Sequence, residues 1–142
     1  MPKDFPRQSK GFNPFGELIG LTFEEFGDGS SRCALEVTDE LLNPHGVVHG
    51  GAIYSMADTG MGAALYSAIE EEELCTTIEI KISYLRAVKS GRLVCDTRVL
   101  SRTRKVAVLE SEIRSGEKLV AKASGTFFVY DSKRGRDDRD DR

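Results

Sequence analysis

The feature that most constrains this chain is residues 50–69, a run of twenty that holds one charge, Asp58. Ile53, Met56, Ala57, Gly60, Met61, Ala64, Leu65 and Ala68 recur at intervals of three and four, which is helical spacing. Helices at a protein surface display a charged face. This one has none, so the spacing predicts a helix buried nearly all round. Its Gly60, Gly62, Ala63 and Ala64 leave room for another backbone to come close. Four carboxylates at 70–73 oppose the negative end of the helix dipole and predict that the helix stops there, in a solvated connector.

The remaining sequence reads as strands. Residues 20–26 and 32–37 alternate around Gly27-Asp28-Gly29 and read as a hairpin. After the helix come four long strand-like segments, 76–85, 92–100, 106–114 and 119–130, joined by short connections as in an antiparallel meander. Within the first of them Ile78, Ile80, Ile82 and Tyr84 alternate. A helix without a polar face is satisfied by a sheet that curls around it, so the expected class is α+β, one central helix wrapped by a curved antiparallel sheet.

The 142 residues suit one domain. Residues 1–14 hold three of the four prolines and read as a flexible leading segment, which Phe12 and Phe15 are placed to pin. Residues 15–130 are the domain, and 131–142, a tail of mixed charge with no apolar side chain, is expected to be disordered. A net charge of −3 counts against nucleic acid as a partner. No apolar run reaches the ~18 residues of a membrane span, and no signal peptide opens the chain. Cys33, Cys75 and Cys95 are odd in number and far apart, as reduced thiols of a cytoplasmic protein would be.

The chemistry is concentrated in residues 43–58, where an amide, two imidazoles, a glycine pair and a carboxylate run from loop into helix. Three readings compete. His45 and His49 are four apart, but Pro44 and Gly46 break a helix there and no Glu follows His45, so a zinc site is disfavoured. A structural reading makes His49 a cap and Asp58 half of a buried pair. The third is acyl transfer. His49-Gly50-Gly51 would leave unpaired amide N–H groups at the positive end of the helix, a cradle for a developing oxyanion, with Asp58 as base or nucleophile. His49 and Asp58 stand nine residues apart, which on a helix is ~13 Å and opposite in direction. Both can serve one carbonyl only if it lies between two chains, which predicts a two-fold dimer with two equivalent sites.

Asn43, His49-Gly50-Gly51 and Asp58, followed by Thr76-Thr-Ile-Glu-Ile-Lys-Ile-Ser-Tyr-Leu-Arg86 and Gly91, resemble the hotdog-fold acyl-CoA thioesterases. The likeness is greatest to their phenylacetic-acid-degradation (PaaI-like) and thioesterase-superfamily-member-2 branch. It runs over residues 11–130. It implies metal-free hydrolysis of an acyl- or aryl-acyl-CoA, CoA being part of the substrate and no cofactor being needed. It implies Asp58 as base or nucleophile, the Gly50 N–H as oxyanion donor, and Asn43 and His49 around the carbonyl and sulfur. Thr77 would orient water or the carboxylate across the dimer, and the family's usual assembly is a dimer of dimers. Gly51 and the cations Arg86, Lys89, Arg104 and Lys105 are candidates for holding CoA, with Arg92 and Arg102 beside them. Ala52, Tyr54, Ser55, Met61 and Leu65 are candidates for the acyl pocket. A non-catalytic acyl-CoA-binding module and a dehydratase or isomerase on the same fold are the alternatives.

Overall fold

The structure, a computed structural model, describes residues 11–133. A short helix α1 (Pro14–Ile19) leads into β1 (Leu21–Gly27) and β2 (Ser30–Glu36). The long helix α2 (Gly50–Tyr66) follows, and then β3 (Glu73–Tyr84), β4 (Arg92–Arg102), β5 (Val106–Ser115) and β6 (Lys118–Asp131). All six strands form one antiparallel sheet in the order β1-β2-β4-β5-β6-β3. The sheet packs its inner face on α2, giving the expected hotdog arrangement of one helix in a curved sheet. β3 leaves α2 on the sheet's far edge and pairs only with β6, so its outer edge is unpaired among the described residues.

The core is the contact between α2 and that inner face. Met56, Ala57, Met61, Ala64 and Leu65 are fully buried against Leu35, Leu93, Leu109, Ile113 and Val120. Cys33 and Cys95 are direct partners in the β2–β4 register, and both thiols point at the Met56 carbonyl, at 3.7 and 3.6 Å. They are free and buried. The bond to Cys95, and then burial, hold the Cys33 thiol well above its ordinary pKa. Further along, Ser31 Oγ donates to the Gly60 carbonyl at 2.7 Å and Thr97 shares a 2.7 Å bond with Ser111. A Cβ at Gly60 would stand 2.8 Å from Thr97 Oγ1, so only glycine lets the helix settle onto this polar seam.

Three expectations need correction. The helix is not buried all round: Gly51, Tyr54, Ser55, Asp58, Thr59, Gly62 and Tyr66 form a stripe that the sheet leaves exposed or half-exposed. α1 was not foreseen. Phe15, Leu18 and Ile19 span barely one turn and a half, and what makes it a helix is local: Asn13 Oδ1 accepts the Gly16 N–H, Pro14 opens the first turn, and Gly20 ends it in the left-handed region. Ile78 does not continue the alternation of Ile80 and Ile82. A β-bulge between Thr77 and Glu79 turns it outward, 58% exposed. At the far end β6 extends through Asp131, and the Ser132 N–H bonds the Glu72 carbonyl at 2.8 Å, so the charged tail begins ordered. Expectations for residues 1–10 and 134–142 lie outside the described residues.

Candidate active site

The loop before α2 is folded on Asn43. Its Oδ1 accepts the His45 N–H at 2.9 Å, its own N–H bonds the Val47 carbonyl at 2.7 Å, and its carbonyl takes the Gly46 N–H at 2.9 Å. Asn43 therefore builds the turn with its carboxamide oxygen, as asparagine does in such loops. His45 is exposed beside it, and no group of three potential metal ligands occurs among the described residues.

His49 caps α2. Its Nδ1 accepts the Gly51 N–H at 2.7 Å. A ring nitrogen that accepts carries no proton, so the neutral imidazole keeps its hydrogen on Nε2, on a ring that is exposed. The expectation that both glycine amides stand unpaired is thus half right. Gly51 is committed to the cap, and a Cβ there would lie 2.8 Å from His49 Nδ1, so glycine is what admits the ring. The Gly50 N–H has no acceptor among the described residues.

Eight residues on from Gly50, Asp58 is half-exposed on the bare stripe of α2, and its Oδ1 accepts a 2.8 Å bond from Thr77 Oγ1. That bond lies within one chain; the resemblance had implied a contact across the dimer. The glycine end has a matching partner that sequence inspection did not single out. Tyr84 Oη donates to the Gly50 carbonyl at 2.8 Å, and its ring sits so close that a Cβ on Gly50 would be 3.1 Å from Cζ. Burial, and secondarily the neighbouring Tyr54, raise the Tyr84 phenol above its ordinary pKa. The bulge at Ile78 is what allows this pairing. Without it, Thr77 and Tyr84, seven apart, would face opposite sides of the sheet. With the extra residue both face α2, along with Ile80 and Ile82, which pack on the core.

The basic candidates separate into two places. Arg86 and Lys89 flank the glycine end: they follow Tyr84, and Val48 N–H bonds the Val88 carbonyl between them at 2.8 Å. Arg104 and Lys105 occupy the β4–β5 turn at the other end of α2, where Arg102 donates to the Ala68 carbonyl at 2.6 Å. All four are exposed. Arg102 and Arg92 are committed elsewhere, Arg102 to Glu73 at 3.1 Å and Arg92 to Glu24 and Glu36.

Beyond Asp58 the bare stripe of α2 becomes one wall of an apolar cavity of about 300 Å3. Thr59, Gly62 and Tyr66 line it from α2, Cys75 from β3, Phe23 from β1 and Phe12 from the leading segment, with Asn13 and Ala63 completing it. Met61 and Leu65, expected to line a pocket, are fully buried on the opposite face of the helix. The residues that do line it escaped notice because four different elements bring them together. Cys75 and Thr77 are two apart on one face of β3, ~7 Å, and Asp58 and Gly62 are one helical turn apart, ~6 Å. The cavity therefore opens beside the Asp58–Thr77 pair and extends away from Gly50.

The comparisons agree with this geometry. The sequence model of the thioesterase superfamily matches residues 45–122, from the loop before α2 into β6. Among solved structures, a conserved protein of Pseudomonas aeruginosa is 40% identical, covers 88% of this chain and all of its own, and superposes with a TM-score of 0.84. A mutant of the phenylacetic acid degradation protein PaaI of Thermus thermophilus is 29% identical over 81% of this chain and 97% of its own, with a TM-score of 0.76. Among curated proteins, the medium/long-chain acyl-CoA thioesterase YigI of Escherichia coli is 26% identical over 132 residues, 82% of this chain and 85% of its own. Among the described residues no helix is long and apolar enough to cross a membrane.

Proposed function

Because the chain belongs to the thioesterase superfamily, we propose that it hydrolyses an acyl-CoA or aryl-acyl-CoA thioester to the free acid and CoA. The observation that carries this reading is the 2.8 Å bond from Thr77 to Asp58, beside an apolar cavity and on the open stripe of an otherwise buried helix. Thr77 fixes one carboxylate oxygen and leaves the other for the substrate or for water. Asp58 acts as general base, taking a proton from the attacking water, or as nucleophile, forming an acyl-aspartate that water then opens. In either route the C–S bond breaks, the carbonyl oxygen gathers negative charge, and the sulfur leaves as CoA thiol. The free Gly50 N–H, at the positive end of α2, is suited to that oxyanion. The Nε2–H of His49 and the NH2 of Asn43 are donors nearby.

The site is shared between two copies. Asp58 and Gly50 are eight residues apart on one rigid helix, ~12 Å along its axis, too far to serve one carbonyl. β3 supplies the means of bringing them together. An unpaired edge strand of twelve residues is a template for another strand. If two copies of β3 pair antiparallel about Lys81, counting the bulge as one position, Thr77 falls opposite the second copy's Tyr84. Ile80 falls opposite the second copy's Ile82, so the inward faces match. Glu79 then stands diagonal to the second copy's Lys81, which offsets the two lysines at the axis. In that register each Asp58–Thr77 pair meets the other copy's Gly50–Tyr84 pair. Arg86 and Lys89 of that second copy flank the same site and are the better placed cations for CoA phosphates, since the acyl cavity runs the other way. Assembly of such dimers in pairs and residence in a reducing cytoplasm, where Cys33 and Cys95 stay thiols, complete the proposal.

The test is a screen of acyl-CoAs with detection of the released thiol, run with Asp58→Asn in parallel. The variant keeps an oxygen for Thr77 and the fold, which circular dichroism checks. Turnover is expected to fall ~10²–10⁴-fold, the usual worth of a positioned acid–base group. A variant that hydrolyses at the wild-type rate would overturn the role of Asp58.

A further inference from the structure

The cavity beside Asp58 has one wall that does not come from the hotdog core. Phe12 and Asn13 border it, and both belong to the segment that leads into α1. This segment is fastened locally. Asn13 Oδ1 accepts the Gly16 N–H at 3.2 Å, Glu17 Oε1 accepts the Gly11 N–H at 2.8 Å, and Gly20 ends the helix. A Cβ at Gly16 would lie 2.2 Å from the Asn13 amide nitrogen, so glycine is what permits the cap that holds Asn13 at the cavity. Polarity supports the same role. Phe12, Phe15 and Leu18 are all exposed, yet of the three only Phe12 borders the cavity. The inner walls are backed by the core. The outer wall is the six-residue helix α1 and its cap.

From this we propose that residues 11–19 act as the length gauge for the acyl group, with Phe12 as the stop against which its far end rests. The inference depends on the hydrolase reading for the identity of the ligand, a thioester whose apolar acyl part enters past Asp58 and Thr77. A cavity of about 300 Å3 is twice the ~150 Å3 that takes one benzene ring. It therefore suits a ring with a short linker or a flexible chain of similar volume. An acyl group longer than that meets Phe12. Gly62, on the inner wall, has nothing within 4 Å of a built Cβ, so a side chain there shortens the cavity from within.

Binding of non-hydrolysable S-alkyl-CoA thioethers, two to sixteen carbons long and including a phenethyl analogue, tests this by calorimetry on the full chain. Affinity should rise about fourfold for each methylene that enters the cavity and level off at a definite length. Phe12→Ala should move that limit to longer tails, and Gly62→Val should move it to shorter ones. Melting temperatures near wild type verify that both variants fold. A limit at the same length in wild type and Phe12→Ala would overturn the gauge, as would affinity independent of tail length. Thiol release from the matching esters is measured in the same series. Tail-length limits that shift as stated without any hydrolysis would uphold the gauge and sink the hydrolase reading; hydrolysis with unshifted limits would do the reverse.

Discussion

Thr77 Oγ1 donates a 2.8 Å hydrogen bond to Asp58 Oδ1, joining the exposed edge strand to the one acidic residue of the central helix. The bond reaches across nineteen positions of sequence and fixes which carboxylate oxygen stays open. Hydrogen bonds to charged groups contribute ~1.5–3 kcal/mol, so losing this one should be felt in the reaction more than in the fold. Thr77→Val removes the hydroxyl and keeps the shape; Thr77→Ser restores it. The expected result is a kcat about 10- to 100-fold lower for valine, with KM little changed and serine near wild type. Equal rates for valine and threonine would show that the hydroxyl takes no part in turnover.

Gly50 is under a different constraint. Alanine fits the first turn of a helix, but its Cβ would stand 3.1 Å from Tyr84 Cζ and 3.2 Å from Oη. The ring, half-exposed near the end of β3, would shift by a few tenths of an ångström, weaken its bond to the Gly50 carbonyl, and leave a methyl group in front of the free N–H. Gly50→Ala is expected to melt close to wild type and to lose about 10- to 10²-fold in kcat, less than the full loss of an oxyanion donor. Steady-state kinetics beside a thermal melt separates the two effects.

Tyr84 gives a pH signature. Burial first, and Tyr54 second, raise its folded-state pKa above the ordinary value of 10.0. The folded protein therefore holds this proton more tightly than the unfolded chain. The stability contributed is fully present below about pH 10 and is lost as pH rises through the higher folded-state pKa. Tyr84→Phe should cost about 0.5–1.5 kcal/mol at neutral pH for the lost bond to Gly50, toward the low end because the ring is half-exposed. The gap between variant and wild type should narrow as pH climbs past 10. Urea melts from pH 7 to 11 measure it, and a gap independent of pH would contradict the assignment.

The fold was legible because α2 lacks a charged face and long strands alternate around it; those signals are local and dense. Where reading failed, the missing information was three-dimensional. One extra residue, Ile78, shifts the facing of the strand on either side of it, so of the alternating Ile78, Ile80, Ile82 and Tyr84 only the last three share a face, and Ile78 turns away. Correcting that one position turns Thr77 and Tyr84 into companions on the helix side. Gly51 illustrates a second kind of miss. Its amide is free in any count of helix ends, and only the His49 ring, folding back over two residues, removes it. The cavity is the third, since Phe12, Phe23, Gly62 and Cys75 share no motif. α1 is only six residues long, too short for the i, i+3, i+4 spacing of Phe15, Leu18 and Ile19 to stand out, though Asn13-Pro14 followed by Gly20 is a capping signature that was available.

Sharing of the site between copies is testable without a structure of the dimer. Asp58→Asn and Gly50→Ala each damage one half of every site in their own homodimer. When the two variants are mixed and subunits exchange, about half of the dimers are mixed. In a mixed dimer one site pairs the intact Asp58 of the glycine variant with the intact Gly50 of the aspartate variant, and the other site receives both defects. If each reaction centre draws on two copies, mixing should restore activity to about a quarter of wild type, well above either variant alone. If Asp58 and Gly50 served the same carbonyl within one chain, every site would keep its single defect and mixing would restore nothing. Thiol release measured before and after exchange, with sedimentation confirming the dimer, distinguishes the two cases. Recovery should disappear when Ile80→Pro is placed in both chains, because proline removes a strand N–H and disrupts β3.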